Sequence, residues 1–320
     1  MNILITGACG YLGSQLVQSL ASLGLEEHSI IATDIREEPP AGFPKAITYL
    51  KADVRSKKVG ELLEAYKIDT IVHLATIVTP GKKSNREFEY SVDVLGTGNI
   101  LELAVQHHVK RIIVTSSGAA YGYHHDNPDW ITEDTPICGN YEFSYSYHKR
   151  IVEKLMAEYR VNYPELEQVV FRIGTILGES VNNQITSLFE KKYMIGIRGS
   201  DSPFVFIWDQ DVVACLKKAV FGEEVGVFNL AGTGAMTVDD IARVLNKKVI
   251  RFPEQLIKKA LFVLKRAGLT QYGEEQVRFL QYRPVLSNRK LIAEFDYTPE
   301  KTTEEVFRYY CEHRFGKLRG

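Results

Sequence analysis

The stretch NILITGACGYLG, residues 2–13, joins a short apolar run to three glycines spaced Gly-x-x-Gly-x-x-Gly. It predicts a β-strand, a tight turn and the start of a helix, as in a dinucleotide-binding loop. Gly7 permits the turn, Gly10 lets the main chain approach a pyrophosphate, and Gly13 allows close helix packing, while the helix N-terminus faces the negative charge. The spacing differs from the usual Gly-x-Gly-x-x-Gly, so a merely structural turn is the alternative.

An acidic residue, Asp34, ends the next apolar run, IIATDIRE at residues 30–37. A carboxylate at this place accepts hydrogen bonds from the ribose hydroxyls of an adenosine and repels a 2′-phosphate. Arg36 partly offsets that repulsion, so the sequence favours NAD over NADP without forcing it. A solvated acid at the start of a loop is the alternative interpretation.

The first half of the chain alternates short β-branched runs with longer helical patterns. The predicted strands are NILIT, SIIATD, AITYLKADV, DTIVHLA, KRIIVTSS and LEQVVFRIG. This alternation is typical of βαβ units, and continuous apolar strands fit a parallel sheet covered on both faces by helices. We therefore expect a doubly wound α/β (Rossmann) fold, with ligands at the carboxyl ends of the strands.

The alternation of strand and helix patterns becomes irregular after residue 175. We expect a dinucleotide-binding domain over residues 1–175 and a smaller α+β substrate-binding portion over residues 176–320. Two later runs, PFVFIW and GVFNL, are apolar enough to return to the edge of the large sheet. We therefore expect residues 204–232 to belong with the dinucleotide-binding domain.

Composition excludes several classes of protein. The chain has 320 residues, of which 45% are hydrophobic and 25% charged, and its formal net charge is -1, so we expect neither nucleic acid nor an anionic membrane as partner. The first apolar run is short and stops at Gly7, so we expect no secretory signal, and no later run is long enough to predict a span of a bilayer. The four cysteines are widely spaced without a Cys-x-x-Cys pair, so we expect reduced thiols and a cytoplasmic location. Two His-His pairs, at residues 107–108 and 124–125, come without further ligands, so no metal is expected.

A Tyr-x-x-x-Lys pattern joins Tyr145 to Lys149 at the start of a predicted helix, where this spacing places both side chains on one face. The pattern alone is weak, because Tyr297 and Lys301 share it. Pro299 lies between that second pair and argues against an uninterrupted helix there, so we discard it. An interfacial aromatic at a helix start is the alternative for Tyr145.

Taken together, these motifs resemble the short-chain dehydrogenase/reductase superfamily, and specifically its extended branch of nucleotide-sugar epimerases and dehydratases. The resemblance covers nearly the whole chain. Its markers are the glycine loop, Asp53, HLA at residues 73–75, TSSGAAYG at 115–122, Tyr145 with Lys149, and FRIGTILG at 171–178.

The resemblance implies an NAD(P)-dependent enzyme in which Tyr145 takes or gives the hydroxyl proton of the substrate. Lys149 lowers the pKa of the tyrosine and holds the nicotinamide ribose, and Ser117 hydrogen-bonds the reacting oxygen. Hydride passes between the substrate carbon and C4 of the nicotinamide. The cofactor contacts expected are Gly7, Cys9, Gly10, Tyr11, Leu12, Gly13, Asp34, Asp53, Val54, Leu74, Ala75, Thr76, Thr115, Tyr145 and Lys149, with Asp53 and Val54 beside the adenine.

Three functions remain open. The first is an NAD-dependent sugar or nucleotide-sugar epimerase that oxidises a hydroxyl and reduces the other face of the ketone. The second is a dehydrogenase or ketone reductase on a non-nucleotide substrate. The third is a non-catalytic dinucleotide sensor, which the intact set Ser117, Tyr145 and Lys149 disfavours. The simplest interpretation of the apolar face Ile151, Val152, Leu155, Met156 and Tyr159 is core packing. By resemblance alone, the same helix is expected to pair with its copy in a homodimer.

The sequence departs from the resembling enzymes at their substrate residues. Gly118 and Ala119 stand where 4,6-dehydratases carry Asp and Glu, so we expect no dehydratase activity. Phe204 stands at the usual place of a diphosphate-binding arginine, and Thr175 at that of an asparagine. Arg283 is the candidate for a second arginine on the diphosphate, and Arg198 lies near enough in sequence to compensate for the first. We expect UDP-sugars to bind weakly and the substrate to carry a different handle or to be a smaller hydroxy compound.

Overall fold

The computed structural model describes residues 1–24, 28–78, 85–269, 273–274 and 276–316. The strands in this part of the chain are β1 Asn2–Thr6, β2 Ser29–Asp34, β3 Thr48–Lys51, β4 Thr70–His73, β5 Arg111–Ser117, β6 Glu167–Ile173, β7 Thr175–Leu177, β8 Met194–Ile197, β9 Phe206–Trp208, β10 Gly226–Leu230 and β11 Val249–Phe252. The α-helices there are α1 Tyr11–Ala21, α2 Lys58–Ala65, α3 Arg86–Tyr90, α4 Gly96–Gln106, α5 Ser144–Asn162, α6 Gln184–Phe189, α7 Asp209–Phe221, α8 Val238–Val244, α9 Glu254–Arg266, α10 Gln276–Gln281, α11 Arg289–Ala293 and α12 Thr303–Phe315. A π-helical segment, Ser91–Leu95, precedes α4, and a 3₁₀ turn, Gly118–Tyr121, follows β5.

Seven of the described strands form one parallel sheet in the order β10-β6-β5-β4-β1-β2-β3. Successive residues of a strand point to opposite faces, and β1 is buried on both. Ile3 and Ile5 pack into a core with α1 and α7, whereas Leu4 packs into a second core with α2, α4 and α5. Helices therefore cover both faces, and the prediction of a doubly wound α/β fold is confirmed.

The third strand is shorter than the run AITYLKADV suggested, because β3 ends at Lys51 and Asp53 lies in the following turn. The Asp53 carboxylate accepts a hydrogen bond from the main-chain N–H of Arg55 at 2.9 Å. Such a bond to a residue two positions on is the turn chemistry typical of aspartate, and it accounts for the early end of the strand.

The two later apolar strands lie in different places. β10 pairs with β6 at the edge of the large sheet, whereas β9 pairs with β7 in a separate two-stranded sheet. Burial explains the difference for β9, because Phe206 packs on Phe189, Phe204 and Phe307 in a third core that includes α12. The division of the chain at residue 175 stays a prediction.

Candidate active site

A cavity of about 580 Å³ lies at the carboxyl ends of β1, β4, β5 and β6, where ligands of open α/β sheets bind. The glycine loop and the ends of β5 and α5 line one side of it. The segment from residue 173 to residue 185 and residues of the C-terminal third line the other side. The sheet therefore brings together residues that are far apart in the sequence.

The glycine loop has the close packing that its spacing predicted. Gly7 has a φ of +68°, and a Cβ there would lie 2.7 Å from the main-chain nitrogen of Ala75. A Cβ on Gly13 would overlap the carbonyl of Gly7, so α1 is packed directly on the turn. Gly10 is the N-cap of α1, which opens toward the cavity. A turn without side chains at a helix N-terminus fits a pyrophosphate.

Asp34 lies beside this loop at the end of β2. Its carboxylate accepts hydrogen bonds from the main-chain N–H of Cys9 at 3.0 Å and of Arg36 at 3.4 Å. The thiol of Cys9 in turn lies 3.8 Å from the hydroxyl of Tyr49. The structure thus joins the predicted acid to the predicted phosphate loop, the arrangement that a dinucleotide needs.

Asp53 and Val54 do not line the cavity. The Asp53 carboxylate accepts hydrogen bonds from Nε and Nη2 of Arg55 at 2.9 and 2.6 Å, and these bonds hold its pKa below the ordinary value. Val54 is buried in the core below the sheet, against Gly96. Their expected place beside the adenine stays a prediction.

Most of the remaining expected cofactor contacts surround the cavity. Leu12, Leu74, Thr76 and Thr115 line it, and Ala75 packs on the turn at Gly7.

Tyr11 also lines the cavity, and its hydroxyl donates a hydrogen bond to the carboxylate of Asp209 at 2.5 Å. Because Asp209 opens α7, this bond joins the first helix to the part of the chain after residue 175.

Ser117, Tyr145 and Lys149 meet on one wall of the cavity. The Ser117 side chain hydrogen-bonds that of Tyr145, and Nζ of Lys149 donates to the Thr115 carbonyl at 2.9 Å. Lys149 Nζ lies 5.6 Å from the centre of the Tyr145 ring. The three side chains that the sequence singled out therefore lie at the end of β5 and the start of α5, facing one space.

Burial raises the pKa of Tyr145 to about 12, the Ser117 hydrogen bond lowers it, and the Asp93 carboxylate raises it. Burial also lowers the pKa of Lys149, which Asp93 and Glu153 raise. The groups of the protein thus keep the phenol protonated at neutral pH. The Lys149 ammonium points to the Thr115 carbonyl rather than to the phenol oxygen.

Sequence reasoning missed a buried pair, Asp93 and His148. One Asp93 oxygen accepts from the Thr76 hydroxyl at 2.9 Å and from the main-chain N–H of Ile77 at 2.8 Å, and the other lies 3.2 Å from Nδ1 of His148. Burial raises the pKa of Asp93, but the bond from His148 and the charge of Lys149 outweigh this, and the net shift is downward. The pair fixes the cavity loop at Thr76. The sequence signal for this pair was an acidic residue between apolar residues in SVDVLG, a pattern that predicts a buried carboxylate.

The substrate end of the cavity is aromatic. Phe204 and Thr175 line it, and the Arg283 guanidinium carbon lies 3.7 Å from the centre of the Phe204 ring. Arg198 is exposed and does not line the cavity, so the expectation that it compensates for a missing arginine is wrong. Its main-chain N–H pairs with Phe252, which holds it on the strand pair β8–β11.

The other candidates lie outside the cavity. The Tyr297 hydroxyl donates to Asp211 at 2.7 Å, and Nζ of Lys301 lies 3.8 Å from the Trp208 ring centre.

The described residues contain no group of three His, Cys, Asp or Glu side chains placed to hold a metal. Within the same residues, no helix has the length and apolar character needed to cross a membrane.

The model of the NAD dependent epimerase/dehydratase family matches residues 3–199. The chain belongs to this family. It resembles an uncharacterised protein of Mycobacterium tuberculosis, which is 22% identical over 317 residues, or 98% of this chain and 84% of that protein. The UDP-glucose 4-epimerase of Erwinia amylovora is 28% identical over 192 residues, or 58% of this chain and 56% of the relative.

The fold is also that of a solved UDP-glucose 4-epimerase from Thermus thermophilus in complex with NAD. The TM-score is 0.72 at 21% identity, with 99% of this chain and 100% of that one covered. Family membership confirms the predicted enzyme class and the predicted cofactor, NAD.

Proposed function

We propose that this epimerase-family enzyme is an epimerase that acts on a sugar or a related hydroxy compound by transient hydride transfer at a hydroxyl-bearing carbon. The observation that supports it best is the meeting of Ser117, Tyr145 and Lys149 on one cavity wall next to the glycine loop. The similarity to a UDP-glucose 4-epimerase favours epimerisation over other reactions of the family.

Residues around the glycine loop would hold the cofactor. The main chain of Gly7 and Gly10 at the N-terminus of α1 suits the pyrophosphate, and the Asp34 carboxylate suits the adenosine ribose. Lys149 would contact the nicotinamide ribose. NAD, when bound, supplies an acceptor for the hydride at its nicotinamide C4 and returns it later.

The side chains of the protein move the proton. Tyr145 accepts the proton of the substrate hydroxyl as the carbon is oxidised, and the Ser117 hydroxyl donates a hydrogen bond to the oxygen that becomes the ketone. Burial alone keeps this phenol protonated, so the proton acceptor is its ionised form, which the positive charges of Lys149 and of bound NAD together would favour. When the ketone has turned its other face, Tyr145 returns the proton to the new hydroxyl.

A dehydrogenase or ketone reductase on a non-nucleotide substrate is the second candidate. The aromatic substrate end favours it, since Phe204 stands where a diphosphate would need an arginine. The chemistry at Tyr145 would be the same, but the cofactor would be exchanged in every turnover.

Cofactor retention separates the two. Purified protein is denatured with acid or alcohol, and the released NAD is measured per chain. An epimerase retains its cofactor, so we expect close to one NAD per chain. Release of almost none, together with free exchange of added NADH, would favour the reductase.

We further propose a homodimer in the cytoplasm. Ile151, Leu155 and Tyr159 on α5 remain partly exposed, and Leu95, in the π-helical segment that contacts α5, is 56% exposed, which suits a partner surface. The four cysteines are free thiols, which suits a reducing compartment. Light scattering should give twice the chain mass of 36.2 kDa, and Leu155→Arg should give the monomer.

A further inference from the structure

Arg283 has a fixed position at the substrate end of the cavity. Its Nη1 donates to the main-chain carbonyl of Ser202 at 2.9 Å and to the Ser202 hydroxyl at 3.1 Å. One face of the guanidinium lies on Phe204, and the Phe279 ring centre is 5.7 Å away. These contacts immobilise the guanidinium before any ligand binds.

The opposite edge of the same guanidinium is unused. Nε is buried without a hydrogen-bond partner, and the side-chain hydrogen bonds of Arg283 to described residues both run from Nη1 to Ser202, which leaves Nε and Nη2 without a carboxylate partner among those residues. Burial lowers the pKa of Arg283 to about 9. A buried cation without a counter-charge is unfavourable unless a ligand supplies the charge. The Nε and Nη2 edge is the one that meets two oxygens of a single anionic group.

The surroundings of Arg283 are poor in charge. Among the described residues that line the cavity, Lys149 is the other cation and none is acidic. Lys149 donates its hydrogen bond to the Thr115 carbonyl at the end of β5. One unpaired positive charge therefore faces the substrate end.

An aromatic cluster separates this charge from the proposed reaction centre. Tyr123 packs on Phe143 and Phe279, with ring centres 5.3 and 5.1 Å apart. Burial raises the pKa of Tyr123, the Tyr145 phenol raises it further, and the Arg283 guanidinium lowers it, so Tyr123 lies near both. A substrate that reaches from Tyr145 to Arg283 passes along an apolar wall.

We propose that the substrate carries a single carboxylate, held by Nε and Nη2 of Arg283, on a carbon skeleton that packs against Tyr123, Phe143 and Phe279. This rests on the proposed function, which places the hydroxyl-bearing carbon at Tyr145. A carboxylate has one charge and two oxygens in the plane that a guanidinium fork meets. A diphosphate has more charge and more oxygens than this one fork satisfies, and Phe204 adds no donor.

The test is a calorimetric titration of the NAD-loaded protein with carboxylates and neutral analogues. The probes are phenylacetate and D-glucuronate, with phenylacetamide as the neutral partner of phenylacetate and with phenyl phosphate and UDP as phosphate probes. We expect Arg283→Gln to weaken binding of the better carboxylate about tenfold to hundredfold and to leave the phenylacetamide affinity unchanged. Arg198→Gln, at an exposed position outside the cavity, is the matched control and should change nothing.

Two results would overturn the proposal. One is equal binding of carboxylates to wild type and Arg283→Gln. The other is tighter, Arg283-dependent binding of UDP or phenyl phosphate than of either carboxylate. If Arg283→Gln does not fold, Arg283→Lys keeps the charge and loses the fork, and should still weaken carboxylate binding at least tenfold. Because the titration needs no turnover, its outcome is independent of the cofactor-release test, so either proposal can fail alone.

Discussion

Nζ of Lys149 donates a hydrogen bond to the main-chain carbonyl of Thr115 at 2.9 Å and ties the first turns of α5 to the end of β5. Tyr145 opens the same helix, so the bond also sets the position of the phenol over the cavity. Lys149 Nζ lies 5.6 Å from the centre of the Tyr145 ring, so we expect the lysine to act on the tyrosine by position and charge rather than by direct contact with the phenol oxygen.

Tyr145→Phe should lower turnover by a factor of about 10² to 10⁴, because the variant keeps the ring and loses the proton donor and acceptor. NAD should still bind, since the glycine loop and Asp34 are unchanged. Turnover on an identified substrate and cofactor content are the two measurements. Unchanged turnover would exclude Tyr145 as the acid and base.

The matched control is Tyr297→Phe. This tyrosine has the same spacing to a lysine but donates its hydroxyl to Asp211 away from the cavity. Turnover should stay within about twofold, while the free energy of unfolding should fall by about 1 kcal/mol through loss of that hydrogen bond.

His73 should make the fold sensitive to acid. It is buried between the hydroxyls of Thr6 and Thr97, at 2.8 and 3.0 Å, and burial lowers its pKa from 6.5 to about 3. Below pH 6.5 the unfolded chain binds a proton that the folded protein does not, so the free energy of unfolding should fall as pH drops from about 6.5 to about 3, by about 1.4 kcal/mol per pH unit.

Denaturant unfolding across this pH range measures the slope. His73→Gln should lower stability at neutral pH and reduce the slope by about one proton. His108→Asn, at an exposed position, is the control. An unchanged slope in His73→Gln would show that other groups cause the acid sensitivity.

Local pattern was enough to predict the parts of the site that depend on neighbours in sequence. The strand, turn and helix of the glycine loop and the helix that carries Tyr145 and Lys149 belong to this class, whereas the roles of these residues stay predictions that rest on the resemblance. The Asp93 to His148 pair joins residues 55 positions apart through a π-helical segment, and no periodicity predicts that contact. Arg198 was predicted to reach the substrate because it is close to Phe204 in sequence, but the pairing of β8 with β11 takes it away from the cavity.

NADH should bind more tightly than NADPH. Asp34 lies against the glycine loop, and its carboxylate would repel a 2′-phosphate. Fluorescence titration with both cofactors measures the preference, and Asp34→Asn should narrow it because the charge is removed at constant shape. Tighter NADPH binding by the wild type would mean that Arg36 governs this end of the site.

The enzyme should not convert a nucleotide hexose to a 4-keto-6-deoxy sugar. Elimination of water needs an acid and a base beside the tyrosine, and Gly118 and Ala119 line the cavity at the places concerned. The described residues that line the cavity include no Asp or Glu that could take the place of this acid and base. Product analysis after incubation with dTDP-glucose and UDP-glucose checks this, and formation of the keto sugar would contradict it.

UDP-glucose and UDP-galactose should bind weakly. A diphosphate site of this family uses arginine forks, and the described cavity offers one, Arg283, with the buried ring of Phe204 at the place of a second. Loss of one charge-assisted contact costs roughly 1.5 to 3 kcal/mol, or about one to two powers of ten in affinity. Arg198 does not restore it, because it lies outside the cavity lining. Calorimetric titration of the NAD-loaded protein with UDP-glucose is the measurement. A dissociation constant in the low micromolar range or below would mean that other donors rebuild the diphosphate site, and a UDP-sugar would then be the expected substrate.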